Sequence, residues 1–407
     1  MNEPTSGRAS SAAAGRLSAM PAGIWALGLG SMFMDISSEL VHSLLPLFMV
    51  GVLGASMVTV GVVEGIAEAT AAIVKVFSGA LSDVLGRRKF IVVLGYGLSA
   101  LTKPLFPLAT SMSWVFLARF IDRIGKGIRG APRDALIADI APPTVRGAAY
   151  GLRQALDSVG AFLGPLLAVA LMAWLANDIV AVMWVAVLPA FIAVALLAVA
   201  VREPARAQRG SETRAPLAWS DAKRLHIRYW LVVLLGAVFT LARFSEAFLV
   251  LRAQDVGLTL GLVPVVLIVM NVVYAAVAFP AGAAADRFSA RGLLIVGLAM
   301  LVAADVVLAA AASPLPALAG AALWGIHMGL TQGLLSKLVA DSAPADLLGT
   351  AFGIFNLVSG GALLLASVIA GALWSAFGAP ATFMAGAAFA ALAALGLAAY
   401  RAGPPRA

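Results

Sequence analysis

The chain has 407 residues, of which 62% are hydrophobic and only 12% are charged, and its mean hydropathy is +0.98. A soluble domain is about half apolar and about a quarter charged, so this composition excludes one and predicts an integral membrane protein. The absence of cysteine excludes disulfides and thiolate sites, and the net charge of +8 indicates positive-inside loops rather than nucleic-acid binding. Residues 1–21 are polar and predict a cytoplasmic N-terminal tail. They are not expected to be a removable signal peptide, because no compact apolar core with a cleavage site follows them.

Twelve stretches of the sequence are long and apolar enough to cross a bilayer, which takes about 20 predominantly apolar residues. In chain order they cover residues 23–50, 57–81, 90–110, 113–130, 147–174, 179–201, 229–253, 260–284, 292–312, 315–338, 348–376 and 380–400. The longest hydrophilic break, residues 202–228, separates six stretches from six. The sequence therefore predicts an all-α membrane protein with twelve transmembrane helices. These form two pseudo-symmetric six-helix bundles, at residues 22–201 and 229–401, joined by a cytoplasmic linker at residues 202–228.

The basic residues of the loops lie on one side of the predicted membrane. They occur in the N-terminal tail, after the even-numbered spans, in the linker and in the C-terminal tail, and the loops between carry none. Lys and Arg are retained in cytoplasmic loops. We therefore expect a multi-pass protein of the bacterial inner membrane with both termini in the cytoplasm.

One short polar phrase occurs twice, after the second and after the eighth predicted span. The copies are GALSDVLGRRK from Gly79 and GAAADRFSARG from Gly282, and they align at an offset of 203 residues. The segments that begin at Ala138 and Ala340 also match, at an offset of 202 residues. Such parallel six-span repeats, related by an axis along the membrane normal, are typical of the two halves of major facilitator transporters.

Over essentially its whole length the sequence resembles the major facilitator superfamily, whose motif A reads G-x-L-x-D-R-x-G-R-[RK]. The first copy matches at Gly79, Leu81, Asp83, Gly86, Arg87 and Arg88, with Val84 in place of an arginine, and the second copy keeps Asp286, Arg287 and Arg291. The resemblance implies a gate that locks the two halves together in the outward-facing state. Asp83 would act at the start of a helix in the other half, where orphan N–H groups and the helix dipole stabilise a carboxylate. The alternative is a positive-inside turn with no gating role.

The fifth span carries a partial match to motif C of the family's antiporters, G-x8-G-x3-G-P-x2-G-G. Gly151, Gly160, Gly164 and Pro165 hold the spacing, whereas Ala168 and Val169 replace the last two glycines. Small residues permit close helix packing and Pro165 permits a bend. This resemblance favours export by antiport, and the alternative is a packing face alone.

Eight acidic and six basic residues lie inside the predicted spans, where each isolated charge costs about 2.5–3.5 kcal/mol at mid-bilayer. Most must therefore pair or line a wet cavity. The resemblance implies that the first, fourth, seventh and tenth spans line it, and those spans carry Asp35, Glu39, His42, Arg119, Asp122, Arg123, Arg243, Glu246 and His327. For His327 the alternative is a hydrogen-bonded helix contact. Arg153 and Asp157, one turn apart, favour a structural ion pair.

Asp35 and Glu39 are candidate proton carriers. Two carboxylates one helical turn apart in an apolar span cannot both be ionised at low cost, so at least one favours a bound proton. Our hypothesis is that these two groups take up and release protons, and that Arg119 with Asp122 couples this step to substrate. Closure is controlled by the motif A turn.

The sequence therefore predicts a secondary active transporter that works by alternating access, through proton-coupled export of a small organic or drug-like molecule. One alternative is a proton-coupled importer of a small polar solute or a metal complex. A remote alternative is a non-transporting receptor on the same fold. No metal-ligand cluster, nucleophile elbow or phosphate loop appears in the sequence, so we expect no enzyme, no cofactor and no metal. The expected partners of this monomer are a small-molecule substrate, protons and the bilayer, with no nucleic acid.

Overall fold

The computed structural model describes residues 20–142, 145–203, 223–285, 289–331, 334–344 and 347–399. Within these ranges every regular element is a helix. The twelve membrane helices form two bundles of six, as the sequence predicts. The predicted N-terminal tail and most of the predicted linker lie outside the described residues.

The N-terminal bundle contains helices α1 to α6. They are α1 (Ala22–Leu47, continued by a π-helical turn at Phe48–Val52), α2 (Met57–Leu85), α3 (Arg88–Thr102), α4 (Met112–Ile140), α5 (Arg146–Trp174) and α6 (Ile179–Val185 and Val187–Ala200). Helix α4 extends well beyond the predicted span of residues 113–130, because its charged continuation remains helical.

The C-terminal bundle contains helices α7 to α12. They are α7 (Ile227–Leu241 and Ala247–Asp255), α8 (Val265–Ala285), α9 (Ala290–Ala310), α10 (Pro314–Thr331 and Leu334–Ser342), α11 (Leu348–Phe377) and α12 (Ala379–Ala399). We call the end of the molecule where α1 begins and α12 ends the basal end, and the opposite end the distal end.

Eight of these helices are each long and apolar enough to cross a membrane, judged on the described residues: α1, α2, α5, α6, α8, α9, α11 and α12. The other four depart from a simple apolar span. Helix α3 has only 15 residues, α4 carries a run of charges, and α7 and α10 are each described in two pieces. Two of these four helices, α4 and α7, contribute charged side chains to the centre of the molecule.

Side-chain caps and one glycine fix several helix ends. The Ser56 hydroxyl accepts a hydrogen bond from the Thr59 N–H at 3.1 Å at the start of α2, and Ser289 caps α9 in the same way. Gly86 ends α2 with a φ of 64°, in the left-handed region that glycine adopts without steric cost. The motif A turn is therefore built on a glycine C-cap.

Close packing between α2 and α11 joins the two bundles. A Cβ placed on Gly61 would lie 2.2 Å from the carbonyl oxygen of Ser367, and one on Gly371 would lie 2.3 Å from that of Met57. Near mid-length, a Cβ on Gly65 would lie 2.9 Å from the carbonyl oxygen of Leu364. These glycines let the two backbones touch over the distal half of the interface.

Among the described residues, the apolar core that crosses between the bundles does so at the distal end. There, one cluster of buried residues contains Leu44 and Phe48 of α1 together with Phe248 of α7. At the basal end the N-terminal bundle has a separate core around Tyr96, and the C-terminal bundle has another around Tyr229. Within the described ranges, the apolar core thus joins the bundles at the distal end and not at the basal end.

Replacing Gly61 by alanine should weaken the packing of α2 against α11 at the distal end, because the added methyl group meets the α11 backbone. The chain has no native cysteine, so Ser367→Cys, at a position 1% exposed, provides a specific reporter of opening. We expect a maleimide to label Gly61→Ala/Ser367→Cys several-fold faster than Ser367→Cys alone. The matched control is Gly361→Ala/Ser367→Cys, because an added Cβ on Gly361 of α11 meets nothing within 4 Å. Equal labelling of all three proteins would contradict the packing argument.

Candidate functional site

A cavity of about 520 Å³ lies between the two bundles near mid-membrane. It is lined by side chains from α1, α2, α4, α5, α7, α8, α10 and α11. Its charged and titratable lining residues are Glu39, His42, Glu68, Arg123, Lys126, Arg243 and Glu246. Of the predicted cavity residues, the structure thus brings together Glu39, His42, Arg123, Arg243 and Glu246.

Helix α7 is unwound where it meets the cavity. Residues 242–246 are not helical, and Arg243, Phe244, Ser245 and Glu246 all line the cavity from this segment. The Ser245 N–H donates to the Ser367 hydroxyl at 3.2 Å, and the Ala247 N–H donates to the Ser245 hydroxyl at 3.2 Å. These hydroxyl groups compensate backbone groups freed by the break. Residues 229–253 are predicted to be one continuous span, and no residue pattern in the sequence indicates the break.

Four side chains form a connected chain from the cavity into the N-terminal bundle. Glu39 Oε2 lies 3.5 Å from His42 Nδ1, and His42 Nε2 lies 3.9 Å from Glu64 Oε2. Arg119 Nη2 donates to the same Glu64 oxygen at 2.7 Å, in a pair whose side chains are 2% and 0% exposed. Sequence reasoning left Glu64 without this role because it assigned Arg119 to act with Asp122.

Glu64 also touches the other bundle. The hydroxyl of Ser245, in the unwound segment of α7, donates to Glu64 Oε2 at 3.5 Å. Its second carboxylate oxygen, Oε1, is buried and makes no hydrogen bond with the described residues. Glu64 therefore connects α1, α2, α4 and α7 at one point.

Asp122 and Arg123 lie 4.0 Å apart, from Oδ2 to Nε, and each has a closer partner on another helix. Lys103 Nζ lies 3.0 Å from Asp122 Oδ1, and both side chains are almost fully buried. Arg123 Nη1 lies 3.2 Å from Glu68 Oε1 in the cavity lining. Arg119 and Asp122, which the sequence suggests act together, contact different buried partners on neighbouring helices, and neither is among the lining residues of the cavity.

Asp35 faces a second, smaller cavity of about 140 Å³ between α1, α5 and α8. Asp157 and Tyr274 also line it, and Asp35 makes no ion pair with any described residue. The two cavities share Ala161 and Asn271 as lining residues. The Asn271 amide donates to the Ala161 carbonyl at 3.3 Å, so a bond between the bundles lies at the boundary of the two spaces.

Beside this small cavity, Arg153 Nη1 lies 2.9 Å from Asp157 Oδ2, one helical turn along α5. Arg133 of α4 approaches the same carboxylate at 3.9 Å, and Asp134 lies 3.7 Å from Arg153. These four charges tie α4 to α5. Asp157 is thus compensated in a way that Asp35 is not.

The glycines of the motif C match pack α5 against α1 at the candidate carboxylates. A Cβ on Gly160 would lie 2.9 Å from the Cβ of Asp35, and one on Gly164 would lie 2.6 Å from the Cβ of Glu39. Pro165 lies inside the same helix. Gly151 does not belong to this packing face, because an added Cβ there would meet nothing within 4 Å.

His327 does not line the cavity. It is completely buried in α10, where its Nδ1 is 2.8 Å from the carbonyl oxygen of Gly297 in α9 and its ring lies 5.5 Å from that of Phe239. The prediction that it is a cavity residue is therefore wrong in geometry, and the alternative of a hydrogen-bonded helix contact describes it. Helix spacing alone could not separate the two faces of α10.

The motif A turn is anchored within the N-terminal bundle by two acids. Arg88 Nη1 lies 2.6 Å from Asp139 Oδ2 at the end of α4, and the Arg88 backbone N–H donates to Glu203 Oε1 at 2.6 Å. Glu203 lies beyond the end of α6 and caps the first turn of α3, a role that sequence reasoning missed because no local capping pattern marks it. Gly79 faces α4, where an added Cβ would lie 3.3 Å from that of Ala131, and Arg87 is exposed.

Part of the predicted gate cannot be placed. The Asp83 side chain, Asp286 and Arg287 lie outside the described residues. Arg291 of the second copy is described, and its guanidinium donates to the Ala398 carbonyl of α12.

Comparisons with known proteins agree with this architecture. The family model of the Major Facilitator Superfamily matches residues 27–270 and 244–407. An uncharacterized MFS-type transporter of Methanocaldococcus jannaschii is 31% identical over 357 residues, which are 86% of this chain and 88% of that protein. The multidrug resistance protein MdtH of Proteus mirabilis is 30% identical over 145 residues, 36% of each protein.

Among solved structures, a bacterial homologue of the human lysosomal transporter Spinster has the same fold. In its inward-facing and occupied conformation it matches with a TM-score of 0.74, covering 92% of this chain and 95% of its own, at 17% identity.

Removing one partner of the Glu64–Arg119 pair should destabilise the protein, because the remaining charge would be buried without compensation, which costs about 3–5 kcal/mol. We expect Glu64→Gln and Arg119→Gln each to lower the melting temperature of the purified protein in detergent. The double variant should lose much less than the sum of the two. Glu68→Gln is the control, because that side chain is 30% exposed to the cavity and a water can solvate its partner. Additive losses in the double variant would contradict direct pairing.

Replacing Gly164 by alanine should separate α1 from α5 at Glu39, and overpacking of this kind costs about 1–3 kcal/mol. The matched variant Gly151→Ala lies on the same helix in open space and gains helix propensity. We therefore expect Gly164→Ala to melt earlier than the wild type, and Gly151→Ala to melt at the same temperature or later. The reverse order would show that the packing face is assigned wrongly.

Proposed function

Because this chain belongs to the major facilitator superfamily, we propose that it is a secondary transporter that exports a small organic molecule in exchange for protons. The observation that carries the proposal is the pair of adjoining cavities at the junction of the bundles. The larger one is charged and large enough for a small molecule. The smaller one presents the carboxylate of Asp35 without a partner among the described residues.

Asp35 and Glu39 are the proposed proton carriers. An unpaired carboxylate inside the membrane costs about 2.5–3.5 kcal/mol, and a bound proton removes that cost. Asp35 therefore favours a proton when the surrounding space closes and releases it when the space opens to water. Gly160 and Gly164 of α5 pack directly against Asp35 and Glu39 of α1. A change in the protonation of either carboxylate therefore changes the charge at this helix interface.

Coupling to the opposite bundle runs through Glu64. Glu39 reaches Glu64 through His42, and Glu64 accepts from Ser245 of α7. A change in the charge of Glu39 alters the electrostatic environment of Glu64 and hence a contact between the bundles. Arg119 acts in this proposal by holding Glu64, and Asp122 acts by holding α3 through Lys103.

The orientation we propose places the basal end in the cytoplasm of an inner membrane. Arg87, Arg146, Arg202, Lys223 and Arg228 are exposed at that end. The described distal loops contain a single Lys or Arg, Lys103, and it is buried against Asp122. In the proposed cycle the motif A turns close the basal end when the protein faces outward.

Two observations favour export over import. The glycines at residues 160 and 164 match the antiporter motif and pack where it requires, and part of the chain is similar to a multidrug resistance protein. A growth comparison tests the direction. Cells that overexpress the protein should tolerate at least one compound of a toxic panel better than deletion cells, whereas greater sensitivity on overexpression would indicate import.

Proton coupling is tested with the compound identified in this way, using protein reconstituted in liposomes with an imposed pH gradient. We expect Asp35→Asn and Glu39→Gln to abolish substrate-driven proton movement while substrate exchange without a gradient continues. Asp178→Asn is the matched control, since it removes an exposed carboxylate at the distal end and asparagine caps a helix equally well. Full proton movement in both single variants and in their double variant would refute the assignment.

A further inference from the structure

Two cations of the central cavity have no ion-pair partner among the described residues. Glu68 forms an ion pair with Arg123, and Glu39 Oε2 lies 3.5 Å from His42 Nδ1. The remaining charged lining residues are Lys126, Arg243 and Glu246, and none of them forms an ion pair with a described residue. Lys126 and Arg243 are therefore free cations of the described cavity lining, and Glu246 is a free anion there.

The two free cations line the same cavity from opposite bundles. Lys126 projects from α4 and is exposed to the cavity, and Arg243 projects from the unwound segment of α7. Arg243 lies over the ring of Phe239, with its guanidinium carbon 6.0 Å from the ring centre. A negatively charged group between them would be held by both bundles at once.

The C-terminal wall of the cavity is aromatic. Phe239, Phe244, Trp324 and Phe355 line it, and the rings of Phe244 and Trp324 lie 5.5 Å apart. Flat apolar groups pack well on such surfaces. The volume of about 520 Å³ accommodates a molecule with one or two rings.

We propose that the substrate is a monoanionic organic acid with a ring-bearing apolar body. Its acidic group lies between Lys126 and Arg243, and its rings lie against Phe244 and Trp324. Glu246, beside Arg243, disfavours a second negative charge and so selects monoanions over dianions. This inference rests on the proposed function, since it names the class of molecule that occupies the transport cavity.

The test is calorimetric titration of the purified protein in detergent with three probes that share one ring system. These are 1-naphthoate, the neutral 1-naphthamide and the cationic 1-naphthylmethylamine. We expect 1-naphthoate to bind at least about tenfold more tightly than the other two, the gain of a charge-assisted contact. Naphthalene-1,4-dicarboxylate should bind more weakly than 1-naphthoate.

Variants locate the acidic group. Lys126→Gln and Arg243→Gln should each weaken 1-naphthoate binding about tenfold while leaving 1-naphthamide unchanged, again because a charge-assisted contact is lost. Lys223→Gln, which removes an exposed cation outside the cavity, should leave both unchanged. Glu246→Gln should improve binding of the dicarboxylate.

Tighter binding of the amine or the amide, or no binding of 1-naphthoate, would overturn the inference from the wild-type protein alone, even if a variant failed to fold. Equal 1-naphthoate affinity in folded Lys126→Gln and Arg243→Gln would overturn it as well. Because this titration needs no membrane or gradient, it is independent of the transport assay. A protein that binds 1-naphthoate yet moves no protons contradicts the proposed coupling only, and one that exchanges protons for a cation contradicts the substrate class only.

Discussion

The ion pair between Glu64 and Arg119 is the interaction on which the rest of the site depends. It fixes α2 against α4 in the middle of the membrane, at exposures of 0% and 2%. The same carboxylate meets His42 of α1 and Ser245 of α7. Because a buried charge must find a partner, three helices of one bundle and the broken helix of the other are drawn to one carboxylate.

The sequence predicts the fold well because membrane helices leave simple traces. Apolar length, basic loops and the repeated turn at Gly79 and Gly282 are sufficient for twelve helices in two bundles. The resemblance to major facilitator proteins places Glu39, His42 and Arg243 on cavity-lining helices, and all three line the cavity in the structure. It places Gly160 and Gly164 on a packing face, which the structure locates against α1.

Partner choice is what the sequence could not supply. Arg119 and Asp122 are three residues apart, yet one binds Glu64 of α2 and the other Lys103 at the end of α3. Which neighbour each side chain meets depends on helix rotation and tilt, and spacing along one helix does not contain that information. The same limit explains His327, Gly151 and the capping role of Glu203, each decided by a helix distant in sequence. The break at residues 242–246 has no Pro or Gly to announce it.

That break divides α7 into two helical segments. Helix α7 has a basal segment at Ile227–Leu241 and a distal segment at Ala247–Asp255, which are connected only by residues 242–246. The distal segment is packed into the core at the distal end of the protein, and the connecting residues contribute Arg243 and Glu246 to the cavity wall. In the proposed transport cycle, a substrate bound at residues 242–246 therefore contacts a segment that continues directly into the distal core.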